Sequence, residues 1–445
     1  MRIKDKIASQ LPEWRERIAR LRRDHGSTVV GEVTVDQIFG GIRGVQIGVS
    51  DISYVDPQRG VLLRGYTIPQ VLELLPKAEN SQFPLMGGLY YLLMVGEMPT
   101  PEDAEDVENL WKMRGTIPPH VFRLINAMPV TTHPMTLFSQ AILALQTESK
   151  FAHKYSDRLP RGEYWEYFLD DSLNLCAKLP AIAAYIYNYK YRSSDYLLPN
   201  PDLDWSANFA HMIGKGNDPG YMDLSRLFFV LHADHEGANV SAHTSHLVCS
   251  ALSDIYLSIS AGMNGLAGPL HGLANQECLR WLLKTRDHFY DKYEDNPDRD
   301  ALVEYLRDSL KHGSTIPGYG HAVLRITDPR FTAQLEFANR YLPNDDLLHL
   351  VKSIYDVLPG ILKENGKVKN PYPNVDAING TLQYHYGVRE FDFYTVLFGV
   401  SRAVGLTAHA VWSRALGKPI ERPKSLTTPL LETIIASGHP EVQSE

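Results

Sequence analysis

Cysteine is scarce in this chain: Cys176, Cys249 and Cys278 are far apart and odd in number among 445 residues. That excludes a disulfide framework, offers no thiolate zinc pattern, and fits a reducing compartment. Long apolar runs are missing as well. The richest, Gly87–Val95, is short and glycine-interrupted, well below the roughly 18 residues that span a bilayer. It reads as a buried helix, and the chain as no membrane protein. Positive charge is not in excess, since 44 Lys and Arg against 52 Asp and Glu leave a net charge of -8. A general nucleic-acid binder would be basic. Repeats and low-complexity blocks are also absent.

What is present is the composition of an ordinary globular protein, 44% hydrophobic and 22% charged. The length favours two domains, or one large and one small. The N-terminal MRIKDKIASQLPEW has no continuous apolar core, so it is no signal peptide, and early acids at Asp5 and Glu13 make it a poor transit peptide. The location expected is the cytoplasm of a bacterium, or the mitochondrial matrix if a transit peptide precedes this sequence.

Helical spacing dominates the pattern. Ile7, Leu11, Trp14, Ile18 and Leu21 form one apolar stripe, so an amphipathic helix opens the chain and packs on the body or on a partner subunit. Val45–Leu63 differs: VQIGVS and GVLLR flank the turn DPQRG, which predicts a small β-ribbon. Thr100-Pro101-Glu102-Asp103 is a helix start, with a capping hydroxyl, an early proline and acids at the positive end. Helices are then expected at 134–152, 162–192 with a kink at Pro180, 204–214, 221–236, 241–261, 273–291, 299–312, 329–341, 345–364, 376–386 and 391–416. Gly313 stops one of them. Asp291–Arg299 is polar and reads as a surface loop. The class is all-α.

Several clusters carry chemistry. Pro317–Arg330, PGYGHAVLRITDPR, puts His321, Arg325 and Arg330 on a glycine-rich loop running into a helix. Glycines let backbone approach a ligand, arginine grips carboxylate or phosphate with a planar fork, and histidine moves protons near neutrality. The set suits a small polyanion. In HADHEGANVSAHTSH, residues 232–246, a histidine zinc site must be weighed, but the spacing is not HExxH and no cysteine helps. A structural network suits His232, His243 and His246, and His235 suits substrate contact. Ala261–Gly272 has glycines three apart after a helical pattern, which is close helix packing and a turn rather than a dinucleotide fingerprint. His271, on that turn, is placed to hydrogen-bond a carbonyl oxygen. In GKVKNPYPNVDAING, residues 366–380, Lys367 and Lys369 suit a phosphate. Asp376 is either a helix N-cap or, in dry surroundings, a general base. Arg402 sits in an apolar helix and needs an acidic neighbour or an anionic ligand. Glu421-Arg422-Pro423-Lys424 adds positive charge in a proline-bounded segment.

Together these residues suit proton transfer at carbon on a multiply charged carboxylate. GGIRG at 40–44, DHEGANVSAHTSH, GPLHG at 268–272, PGYGHAVLR, TDPR, KNPYPNVDA, FGVSRA and ERPKS at 421–425 occur in one order across nearly the whole chain. In wording and spacing they closely resemble citrate synthase of the type found in mitochondria and some bacteria. That resemblance implies an all-α fold with a large domain, 1–272 and 388–445, and a small inserted domain, 273–387. It implies condensation of acetyl-CoA with oxaloacetate and hydrolysis of the citryl thioester. Asp376 would be the base, His271 would hydrogen-bond the thioester carbonyl, and His321 would polarise the ketone. His235, Arg330 and Arg402 would hold carboxylates, with Asn239 and Phe398 lining the site. Arg422 would reach the neighbouring subunit's site in a homodimer. Arg43, Arg161, Arg325, Lys367 and Lys369 would meet coenzyme A phosphates, with backbone from Ile316 through Gly318 and Tyr319 to Gly320 near the adenine. Coenzyme A thioester enters as a co-substrate; no permanent cofactor or metal is implied. Many relatives follow NVDA with His-Ser-Gly, whereas Ile378-Asn379-Gly380 stands here. The alternative is 2-methylcitrate synthase using propionyl-CoA, since one methylene shifts discrimination by only about 1–3 kcal/mol. A histidine-liganded metal hydrolase and a catalytically dead helical scaffold are the readings from other classes. The scaffold would lack one of His271, His321 or Asp376, and all three are present.

Overall fold

The computed structural model describes residues 2–192, 196–290, 298–366 and 368–437. Helices dominate, as the 3.6-residue spacing implies, and one three-stranded antiparallel sheet joins Ser53–Asp56, Gly60–Leu63 and Tyr66–Thr67. The ribbon starts later than VQIGVS predicts. Asp56 Oδ1 accepts from the backbone N–H groups of Gln58 and Arg59, which sets a tight turn and pairs Ser53 with Leu63. After Leu63 the chain turns through Arg64 at φ 49° and Gly65 at φ 87° into the third strand, and Val45–Ser50 carries no regular structure.

The core is built on two long helices, Tyr164–Tyr191 and Tyr394–Ala415, which pack against each other. Both are apolar nearly all round, the mark of a helix enclosed by others. Met86–Val95, Pro134–Ala144, Pro219–His232, Val240–Ser250 and Ile255–Leu266 surround them. The first helix, Arg2–His25, buries Ile3, Ile7 and Leu11 and sets Trp14 edge-on to Trp412 at 5.8 Å, while Leu21 is exposed. The capping box at Thr100 forms as expected, with Asp103 returning the hydrogen bond. A second group, Ala274–Tyr290, Arg299–Lys311, Pro329–Tyr341, Asp346–Asn365 and Asp376–His385, packs mainly on itself. It meets the first group where Phe337 packs on Phe83 at 5.7 Å and Tyr341 Oη donates to Asp223 at 2.6 Å.

Several helices are shorter than periodicity predicts. The 241–261 pattern is two helices, because Leu252 takes φ 65° and Asp254 caps Ile255–Leu266 by accepting from Leu257 N–H. The 134–152 pattern breaks at Ser149, whose hydroxyl accepts from Ala152 N–H and donates to Asp171. The 204–214 pattern gives way after Ala210 to a π-turn, with Gly214 at φ 82°. Pro180 lies inside Tyr164–Tyr191 without ending it. The 221–236 helix ends at His232, which places His235 on a loop. The polar stretch 291–297 lies outside the described residues.

Candidate active site

The loop after His232 is fixed by a buried carboxylate. Asp234 Oδ2 accepts from Ser53 Oγ at 2.6 Å and meets His409 Nε2 at 2.8 Å. Ser53 Oγ in turn accepts from Glu236 N–H at 2.8 Å, which holds Glu236 at φ 60°, strained for a residue with a Cβ. Bolted on both sides, His235 presents its ring 5.6 Å from that of His321. Burial, then the charges of Arg330 and Arg402, push the His235 pKa well below its usual value. His235 is therefore neutral, under the charges of two arginines.

His321 is oriented by its own chain. The backbone N–H groups of Val323 and Leu324 both donate to Nδ1 at 3.0 Å, so Nδ1 is an acceptor and the proton sits on Nε2. Burial and Arg330 pull its pKa down to about 4. Arg330 is 3% exposed and paired with Asp328, its guanidinium meeting both carboxylate oxygens at 2.7–3.2 Å.

Arg402 differs. At 2% exposed it donates, among the described residues, to His232 O and Ser241 Oγ, each at 3.3 Å, and stacks 4.9 Å over Phe398. No carboxylate lies within hydrogen-bond distance of it among the described residues, although Asp234 is near enough to oppose the burial that lowers its pKa to about 10. A buried cation without a paired anion is costly and favours an anionic ligand. Ser241 joins Arg402 to His271: its N–H donates to His271 Nε2 at 3.3 Å, and its hydroxyl lies 3.0 Å from the same nitrogen. The acceptor role leaves the His271 proton on Nδ1. Burial, helped by Arg402, lowers the His271 pKa to about 4.

Asp376 opens the Asp376–His385 helix but does not cap it. Asn374 Oδ1 accepts the Asp376 N–H at 3.0 Å instead, which overturns the N-cap reading and leaves the carboxylate without a helical task. Burial raises its pKa to about 6, with Arg330 opposing and Asp328 adding. The loop before it is tied to the His321 loop: Asn374 N–H donates to Gly318 O, Asn374 Nδ2 to Gly320 O, and Gly320 N–H to Tyr372 O. Gly318 sits at φ 82°, where a Cβ would lie 2.8 Å from the Ala377 backbone. Only glycine fits there.

His271 meets Arg402 through Ser241, the charges of Arg402 and Arg330 bear on His235, His235 lies beside His321, and Arg330 acts on both His321 and Asp376. The outer residues are less gathered. Arg43, Arg161 and Lys369 are exposed, and Lys367 lies outside the described residues. Arg325 turns its guanidinium onto the carbonyls of Val323 and Leu324 at 2.8 and 2.7 Å. Ile316 and Gly318 are buried, and Tyr319 half-buried. Arg422 is exposed. His232 is structural, its Nδ1 donating to Phe228 O at 2.7 Å and its Nε2 accepting from Asn379. His243 and His246 both bind Glu421. No group of three or more His, Cys, Asp or Glu placed to hold a metal occurs among the described residues.

A sequence model described as citrate synthase, C-terminal domain, matches residues 41–424. The chain belongs to the citrate synthase family. It is 51% identical over 434 residues to a probable mitochondrial citrate synthase of Glossina morsitans morsitans, covering 97% of this chain and 92% of that one. Identity to the mitochondrial citrate synthase of Xiphias gladius is 49% over 436 residues, covering 98% and 92%. The solved citrate synthase of Pyrobaculum aerophilum superposes with a TM-score of 0.76 at 28% identity, covering 90% and 95%. The ternary complex of the Thermoplasma acidophilum citrate synthase with carboxymethyl coenzyme A and oxaloacetate, at 20% identity, 88% and 96% coverage and TM-score 0.72, shares the fold.

Within this citrate synthase fold, sequence reasoning missed the supporting residues. Ser241 and Asp328 stood inside quoted motifs, but their partners lie 30 to 161 residues away or depend on the fork of a buried arginine. Asp234 also stood inside a quoted motif, whereas Ser53 and His409 carried no local signal, and the three meet only in the fold.

Proposed function

We propose that this citrate synthase condenses acetyl-CoA with oxaloacetate through Asp376, His271 and His321. Arg402 carries the reading: a buried guanidinium with no paired carboxylate, facing imidazoles held neutral, asks for a small polycarboxylate. Arg330 and His235 take the remaining carboxylate oxygens, Asn239 and Phe398 line the space, and His321 Nε2–H polarises the ketone. The thioester carbonyl accepts from His271 Nδ1–H. Asp376 then removes a methyl proton, a step feasible only while a positioned donor stabilises the developing enolate oxygen. The new carbon–carbon bond forms at the ketone carbon, and the alkoxide takes its proton from His321. Water finally cleaves the citryl thioester, releasing citrate and coenzyme A.

Exclusion of water during the first steps requires the second helical group, 273–387, to close as a small domain over the large one, 1–272 and 388–445. The mutual packing of the second group's helices supports that division. Coenzyme A phosphates meet Arg43, Arg161, Lys367 and Lys369, with the adenine near the backbone of Ile316–Gly320. Arg325 joins them only by swinging off the carbonyls it now binds. A homodimer is supported by Val29, Val30, Val33, Phe39 and Val49, all exposed on one early stretch, with Ile420 and Ile435 exposed at the other end. Arg422 then reaches the neighbouring site. The relatives' printed names are mitochondrial, which favours the matrix over the cytoplasm expected from the N-terminus; no described helix is long and apolar enough to cross a membrane.

A thiol-release assay with oxaloacetate tests the reading, comparing acetyl-CoA with propionyl-CoA. Faster turnover of acetyl-CoA is expected. Equal or faster turnover of propionyl-CoA would overturn the substrate assignment.

A further inference from the structure

After the Tyr394–Ala415 helix the chain runs without regular structure to Thr427, and Glu421 is the one carboxylate on that stretch. It is gripped at three points by a single helix, Val240–Ser250. Its oxygens lie 2.9 Å from His246 Nε2 and 3.2 Å from His243 Nε2, and its N–H donates to Ser250 Oγ at 3.0 Å. The two imidazoles share one helix face because they are three residues apart. The reaction described above uses neither of them, nor Glu421. The same helix opens with Asn239 as its N-cap and with Ser241, which holds His271. Next after Glu421 comes exposed Arg422, and then Pro423, whose ring fixes its own backbone angle and restricts the residue before it. Pinned on one side and stiffened on the other, the backbone at Arg422 has few conformations open to it.

We propose that Glu421 is a positioning residue: bridged between His243 and His246, it aims Arg422 at a substrate carboxylate in the neighbouring protomer's site. The helix that lines one site thereby steers the arm that serves the other. This rests on the reading of Arg422 as a crossing ligand.

The expected effect of Glu421→Gln is a KM for oxaloacetate raised about tenfold with kcat changed by less than about twofold, the size of one charge-assisted hydrogen bond. His246→Asn should act in the same direction with an unchanged melting temperature. An unchanged KM in both variants overturns the proposal. Hybrid dimers, purified through two different tags, locate the effect. A Glu421→Ala protomer paired with an Asp376→Ala protomer has one live site, and that site receives its arm from the chain with native Glu421. Its KM should be normal; a raised KM means that Glu421 serves its own site, and the proposal fails. Arg422→Ala paired with Asp376→Ala should also show a normal KM. If that pair alone is not rescued, the crossing arm is wrong. Glu421 is then judged by the double variant with Arg422→Ala, where no further rise in KM keeps its positioning role and an additive rise removes it.

Discussion

Asp376 is held in a place that costs stability at neutral pH. Its pKa of about 6 lies above the ordinary carboxylate value, so the native state binds more protons than the unfolded chain between roughly pH 4 and 6. Stability contributed by this group therefore falls as pH rises through that window. Asp376→Asn should melt higher than the native enzyme at pH 7.5 and lose the advantage near pH 4, read by differential scanning fluorimetry. The same change should cut kcat by about a thousandfold, within the usual range for a general base, while oxaloacetate still binds in a calorimeter. Because His271 and His321 titrate near 4, the acid limb of kcat/KM should fall near pH 6 and report the carboxylate. A limb near 4 would assign it to an imidazole. Arg402→Met offers a similar trade. Removing a buried cation that lacks a carboxylate partner should leave the melting temperature equal or higher, yet abolish the stabilisation that oxaloacetate gives.

At the scale of elements, the two loops that meet at the site are one device. Gly318–Gly320 and Tyr372–Asn374 are laced together by backbone hydrogen bonds, with Gly318 seated against Ala377. Gly318→Ala should push the start of the Asp376–His385 helix away. The expected result is a kcat reduced at least about tenfold with little change in the KM for oxaloacetate, since a displacement of about 1 Å at a reacting group costs that much or more. Helix existence was legible from spacing for the long helices, as with Pro329–Tyr341, whose bounds match the pattern, whereas the shorter Val35–Phe39, Ile68–Leu74, Pro119–Ala127 and Thr428–Ser437 went unread. Helix breaks were less so. Leu252 adopts a left-handed angle because Asp254 caps the next helix, and that competition between cap and continuation is invisible to apolar periodicity.

For the whole molecule, the two helical groups touch at both ends of the Pro329–Tyr341 helix: through Tyr341–Asp223 and Phe337–Phe83 at one, and through Gly60 against Pro329 and Arg325 N–H donating to Pro57 O at the other, where Arg330 stands in the site. The closure proposed above would rearrange contacts at both ends of that helix. Oxaloacetate should therefore shrink the radius of gyration in X-ray scattering and slow proteolysis, whereas Tyr341→Phe should weaken both responses. No change on adding oxaloacetate would count against closure.

The amino-acid order by itself determined the helical class, the helix faces and the kinds of side chain available, because spacing within one turn decides which residues share a face. Only the tertiary structure decided which nitrogen of each histidine carries the proton, why Asp376 is hard to ionise and why Arg402 is left without a carboxylate. Those properties come from desolvation and from partners such as Ser241, Ser53 and His409, brought together from distant parts of the chain.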